Sequence, residues 1–266
     1  MQNIKSPISL RFRLFFLMGF ALLASCKDEK KPGVQDVLST IHNNGRDSYE
    51  LITIRRPTSV EEYFKLWSLP YELCVASAKL NNVPVKPFPA IPKDFVMKRT
   101  TVTSDGKSFR TTEEEFGVDI QDITVENGCA TSYGSGLRTW VAHNGIEADL
   151  DSEIQSENHE GQASYQIKPY DPNLAQAYSV EKKINGIAVR CTGAHDFMVA
   201  GKVVAEMCVL DPVLGRIAMA DGKPPIVYTR DIPGPSLFGS AMVDEPISLK
   251  VGIEVNPEIF VNAAAK

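Results

Sequence analysis

The sequence lacks the patterns that mark most metal-binding, redox and nucleotide-binding proteins. It has no C-x-x-C pair, no two histidines at i and i+4, no G-x-x-x-x-G-K-[ST] loop and no dinucleotide fingerprint in a βαβ setting. Each of these chemistries needs its ligands or glycines at those spacings, so the absences exclude the usual motif-borne sites. No cofactor and no metal site are predicted.

Positive charge and long apolar runs are also scarce. The net charge of −5 argues against non-specific nucleic-acid binding, which needs a basic surface. Beyond the N-terminus no apolar run approaches 18 residues, so no internal membrane span is predicted. With 43% hydrophobic and 23% charged residues, the chain has the composition of a folded globular protein.

Three segments come near to catalytic or cation-binding patterns. In "GPSLFGS" (234–240), Ser236 resembles a nucleophile elbow, but Phe238 stands where G-x-S-x-G requires glycine. His195 and Asp196 are adjacent, and adjacent residues on a strand point to opposite faces. The acidic run "TTEEEF" (111–116) is predicted to be a solvated strand face. No catalytic residue is predicted, and a hydrolase using Ser236 or His195 is kept only as an alternative.

The first 25 residues differ from the rest of the chain. Lys5, Arg11 and Arg13 are their only charges, and an apolar segment runs from Leu14 to Ala24. A positive start, an apolar middle and small residues at the end are the plan of a secretory signal. Residues 1–25 are therefore predicted to be an export signal.

The four residues "LASC", Leu23-Ala24-Ser25-Cys26, resemble the lipobox of bacterial lipoproteins. The resemblance implies that Cys26 receives a diacylglyceryl group, becomes the first residue after cleavage, and is usually acylated again on its amine. It covers the N-terminus only. Lys27 stands where an Asp favours inner-membrane retention in enteric members, so the periplasmic face of the outer membrane is the expected location.

Removal of the signal would make the exported chain more acidic. Residues 1–25 carry three positive and no negative charges, so the net charge would change from −5 to −8. An acidic body is mildly repelled by an anionic leaflet. The membrane is thus expected as a partner through the Cys26 lipid, and stable anchoring needs more than one acyl chain.

Four cysteines remain, and export would place them in a compartment where disulfides persist. An even number of cysteines in such a compartment predicts two disulfide bridges. Three pairings are possible. The favoured pairing joins Cys191 to Cys208, which are close in sequence and lie on strands predicted to be neighbours, and this leaves Cys74 to pair with Cys129.

A short tether, residues 26–32, is predicted to precede an N-terminal lead-in, residues 33–92. Within the lead-in, the sequence predicts helices over 33–44 and 58–69, with Ser59 as the N-cap of the second and Pro70 at its end, and a strand over 48–56. The stretch "PVKPFPAIP" (84–92) is predicted to be a stiff connector rather than a docking ligand.

The remainder, residues 93–266, is predicted to be an antiparallel β domain. Asn-Gly and Asp-Gly pairs between alternating segments mark hairpin turns at 105–106, 144–145, 185–186 and 221–222, the last with a longer loop and an edge strand after Pro224 and Pro225. The expected fold is mainly β, with two short N-terminal helices and an extended meander. A curved sheet, a half-barrel and a sandwich are left open.

The favoured function is a non-catalytic binding or assembly module, anchored in the envelope and facing the periplasm. Its partner is an unspecified protein or apolar ligand. A carrier of lipid or of a small hydrophobic ligand is one alternative, because a curved antiparallel sheet can hold such a ligand. An anchored hydrolase is the other.

Overall fold

A computed structural model describes residues 45–120, 123–150, 162–164, 166–171, 173, 177–192, 197–199, 202–231 and 240–261. The lipobox, the predicted helix 33–44, the His195-Asp196 pair and Ser236 lie outside these residues. The elements, in chain order, are β1 (Tyr49–Pro57), α1 (Val60–Trp67), α2 (Leu69–Leu80), β2 (Lys98–Ser104), β3 (Phe109–Asp119), β4 (Ser132–His143), β5 (Ile146–Asp149), β6 (Gln162–Ser164), β7 (Val180–Ile184), β8 (Ile187–Cys191), β9 (Phe197–Val199), β10 (Lys202–Leu210), β11 (Ile226–Asp231), β12 (Met242–Val251) and α3 (Glu258–Val261).

The twelve described strands form one antiparallel sheet. Its order is β6-β5-β4-β3-β2-β1-β12-β11-β10-β8-β7, and β9 pairs with β10. The predicted mainly β class is confirmed, and the sheet is open, with β6 and β7 as its outer strands along this order. Strand β1, which the sequence placed in the lead-in, lies in the middle of the sheet between β2 and β12.

Two of the four predicted turns are tight Asn-Gly hairpins. Asn144-Gly145 joins β4 to β5 and Asn185-Gly186 joins β7 to β8, with positive φ at both positions of each pair. This is the two-residue turn whose twist suits the flanking strands. At Asp105-Gly106 only Gly106 has positive φ, and the Asp105 carboxylate instead accepts the backbone N–H groups of Lys107 and Ser108.

The fourth predicted turn, Asp221-Gly222, lies within the long connection between β10 and β11. The prediction of an edge strand there is wrong, because β11 lies between β10 and β12. Pro224 and Pro225 precede the strand, so their missing N–H groups cost the sheet no ladder hydrogen bond.

Helix α1 forms as predicted, and the Ser59 side chain accepts the backbone N–H of Glu62 at 3.2 Å. The expectation that Pro70 closes this helix is wrong, because Pro70 lies in the first turn of α2, where proline is tolerated. Helix α2 was not predicted, since its apolar residues lie on all sides and give no amphipathic pattern. None of the described helices has the length and apolar character needed to cross a bilayer.

Two groups of buried side chains stabilise the fold. The main group contains side chains of β1, β2 and β3 from one half of the sheet and of β8 and β10 from the other half. Tyr49, Leu51 and Phe109 pack there in one cluster with Val189 and Leu210. Since strands from both arms of the sheet share this cluster, the sheet must be curved. A second group, around Phe64, Phe95 and Val118, packs α1 against β3, and Phe88 and Ile91 of the proline-rich connector join it, whereas Ala90 is exposed.

Both disulfides favoured from the sequence are present. Cys191 and Cys208 lie directly opposite each other on β8 and β10, both fully buried, with Cα atoms 4.0 Å apart. Cys74–Cys129 attaches α2 to the loop before β4, with Cα atoms 5.8 Å apart. One bridge thus lies in the core and the other holds a surface helix to the sheet.

Candidate ligand-binding cleft

One face of the sheet carries a row of side chains that the register places side by side. Leu51 of β1 lies opposite Val102 of β2, Val102 opposite Thr111 of β3, and Thr111 opposite Trp140 of β4. Successive side chains alternate between faces. We call the face that carries these four residues the inner face.

The inner face forms the floor of a cleft of about 950 Å³ that opens to solvent. Besides the row above, Phe109 and Ala142 line the floor. Residues 219–226, which form the end of the connection before β11 and the first residue of that strand, make the opposite wall of the cleft. Tyr178 also lines the cleft. The lining is mostly apolar, with polar groups contributed by Thr53, Thr100, Thr111, Glu113, Glu147, Tyr178, Asp221 and Lys223.

Contacts from three segments fix the wall. The Arg46 guanidinium lies over the Phe109 ring at 5.6 Å and donates to the carbonyl of Ala220 at 2.9 Å. The backbone N–H of Lys168 also donates to Ala220, at 2.8 Å. At Gly222, with φ of +86°, a Cβ would lie 2.3 Å from the Pro169 carbonyl oxygen, so the close approach requires glycine.

The charges that line the cleft are mostly negative. Glu113 pairs with Lys98 at 2.9 Å, and Asp221 pairs with Lys223 at 2.9 Å. Burial opposes ionisation of Asp221, but hydrogen bonds from the side chain and backbone of Lys223 outweigh it and lower the pKa of this carboxyl. Glu147 makes no ion pair with a described residue.

Tyr178 is a neutral hydrogen-bonding group in the cleft. Burial raises the pKa of its phenol above the ordinary value, and nearby Lys223 only partly opposes this. The hydroxyl therefore keeps its proton at neutral pH and can donate to a ligand.

Beyond the cleft, a charged cluster occupies the end of the inner face. Arg55, two residues after Thr53 and on the same face, donates to Asp231 and Asp244 at 2.6 Å each, and Thr229 donates to Asp244 at 2.5 Å. These partly buried groups tie β1, β11 and β12 together. Their donors and acceptors satisfy one another, so the cluster is read as a structural network.

A serine–histidine pair lies on the other side of the sheet. The Ser108 hydroxyl and His143 Nδ1 are 2.7 Å apart, a distance at which a base could activate a nucleophile. However, Ser108 is 3% exposed, the His143 ring stacks on Phe260, and neither residue lines the cleft. A substrate has no access to this hydroxyl, so the pair joins two strands rather than forming a catalytic site.

The sequence-based site residues fall into two sets. Cys26, Ser236 and His195 lie outside the described residues. Cys191 and Cys208 lie close to Glu206 in a grouping that could suit a metal, but their sulfurs form a disulfide and are not available as ligands.

Of the cleft residues, only Thr111 and Glu113 lie in a segment singled out from the sequence as near to a binding pattern, "TTEEEF", which was predicted to be a solvated strand face; both are half-buried and line the cleft. "RTTVTS" and "RTTEEEF" showed strand character, but nothing local shows which face of a strand meets the wall. Comparison of the chain with known protein families, with curated proteins and with solved structures found no match.

Proposed function

We propose that this protein is an exported, lipid-anchored, non-catalytic binding protein that holds a small apolar or amphipathic molecule in its cleft. The observation that carries this proposal is the cleft itself. Its volume lies within the range of about 300–1,000 Å³ that is usual for ligand sites, and its apolar floor is interrupted by a few convergent polar groups. A protein-binding scaffold would instead be expected to have a filled core at this place.

The charges around the cleft restrict the chemistry of the ligand. The lining itself carries three carboxylates, Glu113, Glu147 and Asp221, against one cation, Lys223, which is paired with Asp221. A carboxylate headgroup would meet no free cation in this lining and would be repelled. A neutral or positively charged headgroup is therefore favoured, with Tyr178 and the threonine hydroxyls as its hydrogen-bonding partners.

The first prediction is a charge preference among ligands with the same apolar chain. The two tryptophans, Trp67 and Trp140, can be labelled with 5-fluorotryptophan in the full chain in detergent micelles, and ¹⁹F NMR then reports on each separately. Hexylamine and hexanol should shift the Trp140 resonance saturably, and hexanoate should bind more weakly. Each CH₂ added to the neutral or amine series should tighten binding roughly fourfold.

Trp67→Phe and Trp140→Phe assign the two signals. Trp140 lines the cleft, whereas Trp67 lies on α1. A shift confined to Trp67, or no dependence on chain length, would contradict binding in the cleft.

Lipid anchoring is proposed from the resemblance of Leu23-Ala24-Ser25-Cys26 to a lipobox. The two disulfides support export, because structural disulfides persist in oxidising compartments. The proposed location is the periplasmic face of the outer membrane, and the lipid on Cys26 is the proposed anchor.

The second prediction concerns this anchor. Cys26→Ser should abolish acylation and leave an uncleaved or soluble precursor, as measured by intact mass and by fractionation of the envelope. Ser25→Gly, which keeps a small residue before the cysteine, is the matched control and should be processed normally. A Cys26→Ser protein that is still cleaved and held in the membrane would rule out the lipoprotein hypothesis.

A further inference from the structure

Helix α1, the start of β2 and the end of β3 line a second, smaller pocket. Its volume is about 220 Å³, and it shares no lining residue with the cleft. The apolar part of the lining is four aromatic rings and two aliphatic side chains: Tyr63, Phe64, Trp67, Phe116, Met97 and Val118. We call it the aromatic pocket. Because it is smaller than the usual ligand site, it suits a small molecule or one group of a larger one.

Contacts between the rings hold the aromatic pocket in place. The Tyr63 ring packs edge to face on Phe64, with centroids 5.0 Å apart, and stacks on Phe95 at 5.8 Å. The Trp67 ring lies 5.9 Å from Tyr63 and is 39% exposed. The Tyr63 hydroxyl donates to Sδ of Met97 at 3.5 Å. The pocket thus offers preorganised aromatic surface, and the hydroxyl in its described lining is already engaged.

The charge left in the lining after ion pairing is negative. Lys98 and Glu115 are the charged groups of the described lining. Lys98 is bound by Glu113 at 2.9 Å, whereas Glu115 is exposed and makes no ion pair with a described residue. Helix α1 beside the pocket carries two carboxylates against one lysine. A cation that enters the pocket therefore meets the Glu115 carboxylate as its counter-charge.

Arg55 is a further cation whose charge reaches the pocket. Burial raises the pKa of the Tyr63 phenol, and a hydrogen bond from Trp67 and the charge of Arg55 only partly oppose this. The guanidinium of Arg55 is bound by Asp231 and Asp244, at 2.6 Å each. Two carboxylates thus offset this one positive charge, and Arg55 does not reverse the negative balance around the pocket.

Gly117 leaves the aromatic pocket open on the β3 side. It lines the pocket, lies opposite Gly134 of β4 and has no positive φ. A Cβ at this position would meet no heavy atom within 4 Å. Neither backbone conformation nor packing therefore requires glycine here, although glycine weakens a strand. In strands such a glycine often marks a place where a ligand approaches the backbone closely.

We propose that the aromatic pocket binds a trimethylammonium group. Aromatic rings attract a cation electrostatically, and quaternary ammonium groups add apolar methyl surface to that attraction. A primary ammonium has three N–H donors that need acceptors, but Glu115 is the one strong acceptor without a partner among the described lining side chains. A quaternary ammonium has no such donors. This site is separate from the cleft and goes beyond the proposed function.

Choline and two analogues test the recognition of the charge and of the methyl groups. The alcohol 3,3-dimethylbutanol has carbon in place of the quaternary nitrogen, and ethanolamine lacks the methyl groups. In the full chain labelled with 5-fluorotryptophan, in a maltoside detergent, choline should shift the Trp67 resonance saturably and leave Trp140 unchanged. Both analogues should bind at least about fivefold more weakly.

A valine at position 117 tests where the group lies. Gly117→Val should lower the affinity for choline at least about tenfold and leave the thermal unfolding midpoint unchanged or raised, because valine suits a strand and has space here. Gly136→Val is the matched control, since Gly136 lies on the same face opposite Glu115, also has open space and does not line the pocket. Equal affinities in the two variants would overturn the placement.

Removal of one carboxylate tests the counter-charge. Glu115→Gln should weaken choline binding roughly threefold or more and bring choline closer to its uncharged analogue. Glu114→Gln removes the neighbouring carboxylate, on the opposite face of β3, and should leave both unchanged. An unchanged preference for choline in Glu115→Gln would overturn the role assigned to this carboxylate.

A short-chain phosphatidylcholine, used below its micelle concentration, distinguishes two sources of the trimethylammonium group. An affinity at Trp67 similar to that of choline would identify free trimethylammonium compounds, and one at least about tenfold tighter would identify a lipid headgroup. Either result supports the site. No shift of Trp67 with choline or this lipid, or equal binding of choline and 3,3-dimethylbutanol, would overturn it. The hexylamine titration at Trp140 reports on the cleft alone, so the two proposals fail separately.

Discussion

The double substitution Thr100→Phe/Thr111→Phe should weaken the binding of hexylamine or hexanol at least about tenfold, or about 1.4 kcal/mol. Both threonines line the cleft, on adjacent strands of the inner face. Two phenyl rings there would occupy the space of the ligand chain. Phenylalanine and threonine both suit a strand, so the sheet should tolerate the change. Titration of the Trp140 resonance measures the loss.

The chain supplies a closely matched control. Thr101 and Thr112 are the next residues along the same strands, lie opposite each other, and point to the other face. Thr101→Phe/Thr112→Phe adds the same two rings outside the cleft and should leave binding unchanged. Equal losses in both variants, with thermal unfolding showing that both are folded, would contradict the placement of the ligand.

The largest loss of stability is expected from removal of the core disulfide. Cys191→Ala/Cys208→Ala should lower the free energy of unfolding by about 3 kcal/mol from loop-closure entropy alone, with a further loss because two fully buried sulfurs leave the core. The two cysteines lie directly opposite on β8 and β10, so the substitution also loosens this strand pair. Urea unfolding under non-reducing conditions measures the effect.

Cys74→Ala/Cys129→Ala is the comparison. Its loop of 55 residues would give about 4 kcal/mol from loop entropy alone, more than the core bridge, but Cys74 is only half-buried on a surface helix. Because α2 can detach without opening the core, we expect the smaller global effect here. A larger loss than in the Cys191/Cys208 pair would show that α2 belongs to the main cooperative unit.

Local chemistry accounts for the parts of the fold that were correctly predicted. Asn144-Gly145 and Asn185-Gly186 are hairpins because few residue pairs accept positive φ twice. Ser59 caps α1 because its side chain reaches the N–H of Glu62. The pairing of Cys191 with Cys208 followed from strands that are neighbours in sequence.

The features that were missed depend on contacts between distant segments. Strand β1 pairs with β12, about 190 residues later, and no local pattern specifies that partner. Helix α2 is held by a disulfide and by burial of Ala78 rather than by amphipathic periodicity. The cleft needs the wall at residues 219–226 to meet the inner face, and that meeting depends on Arg46 and Gly222.

The same long-range arrangement explains why a mainly apolar face remains open. Tyr49 is covered in the core cluster, and Leu51 belongs to the same cluster but also lines the cleft. From there the floor continues to half-buried Thr53, Thr100 and Trp140. The wall contacts one part of the inner face and leaves the rest as a cleft. This is the feature on which the proposed function depends.

The most direct test of that proposal is the position of a bound ligand. Intermolecular NOEs should connect the hexylamine chain to the methyl groups of Leu51, Val102 and Ala142, which belong to the floor of the cleft. NOEs to all three residues would place the ligand on the floor of the cleft. NOEs confined to Leu69, Leu73 or Leu80 of helix α2, or none at any of these six residues at saturating ligand, would contradict binding in the cleft.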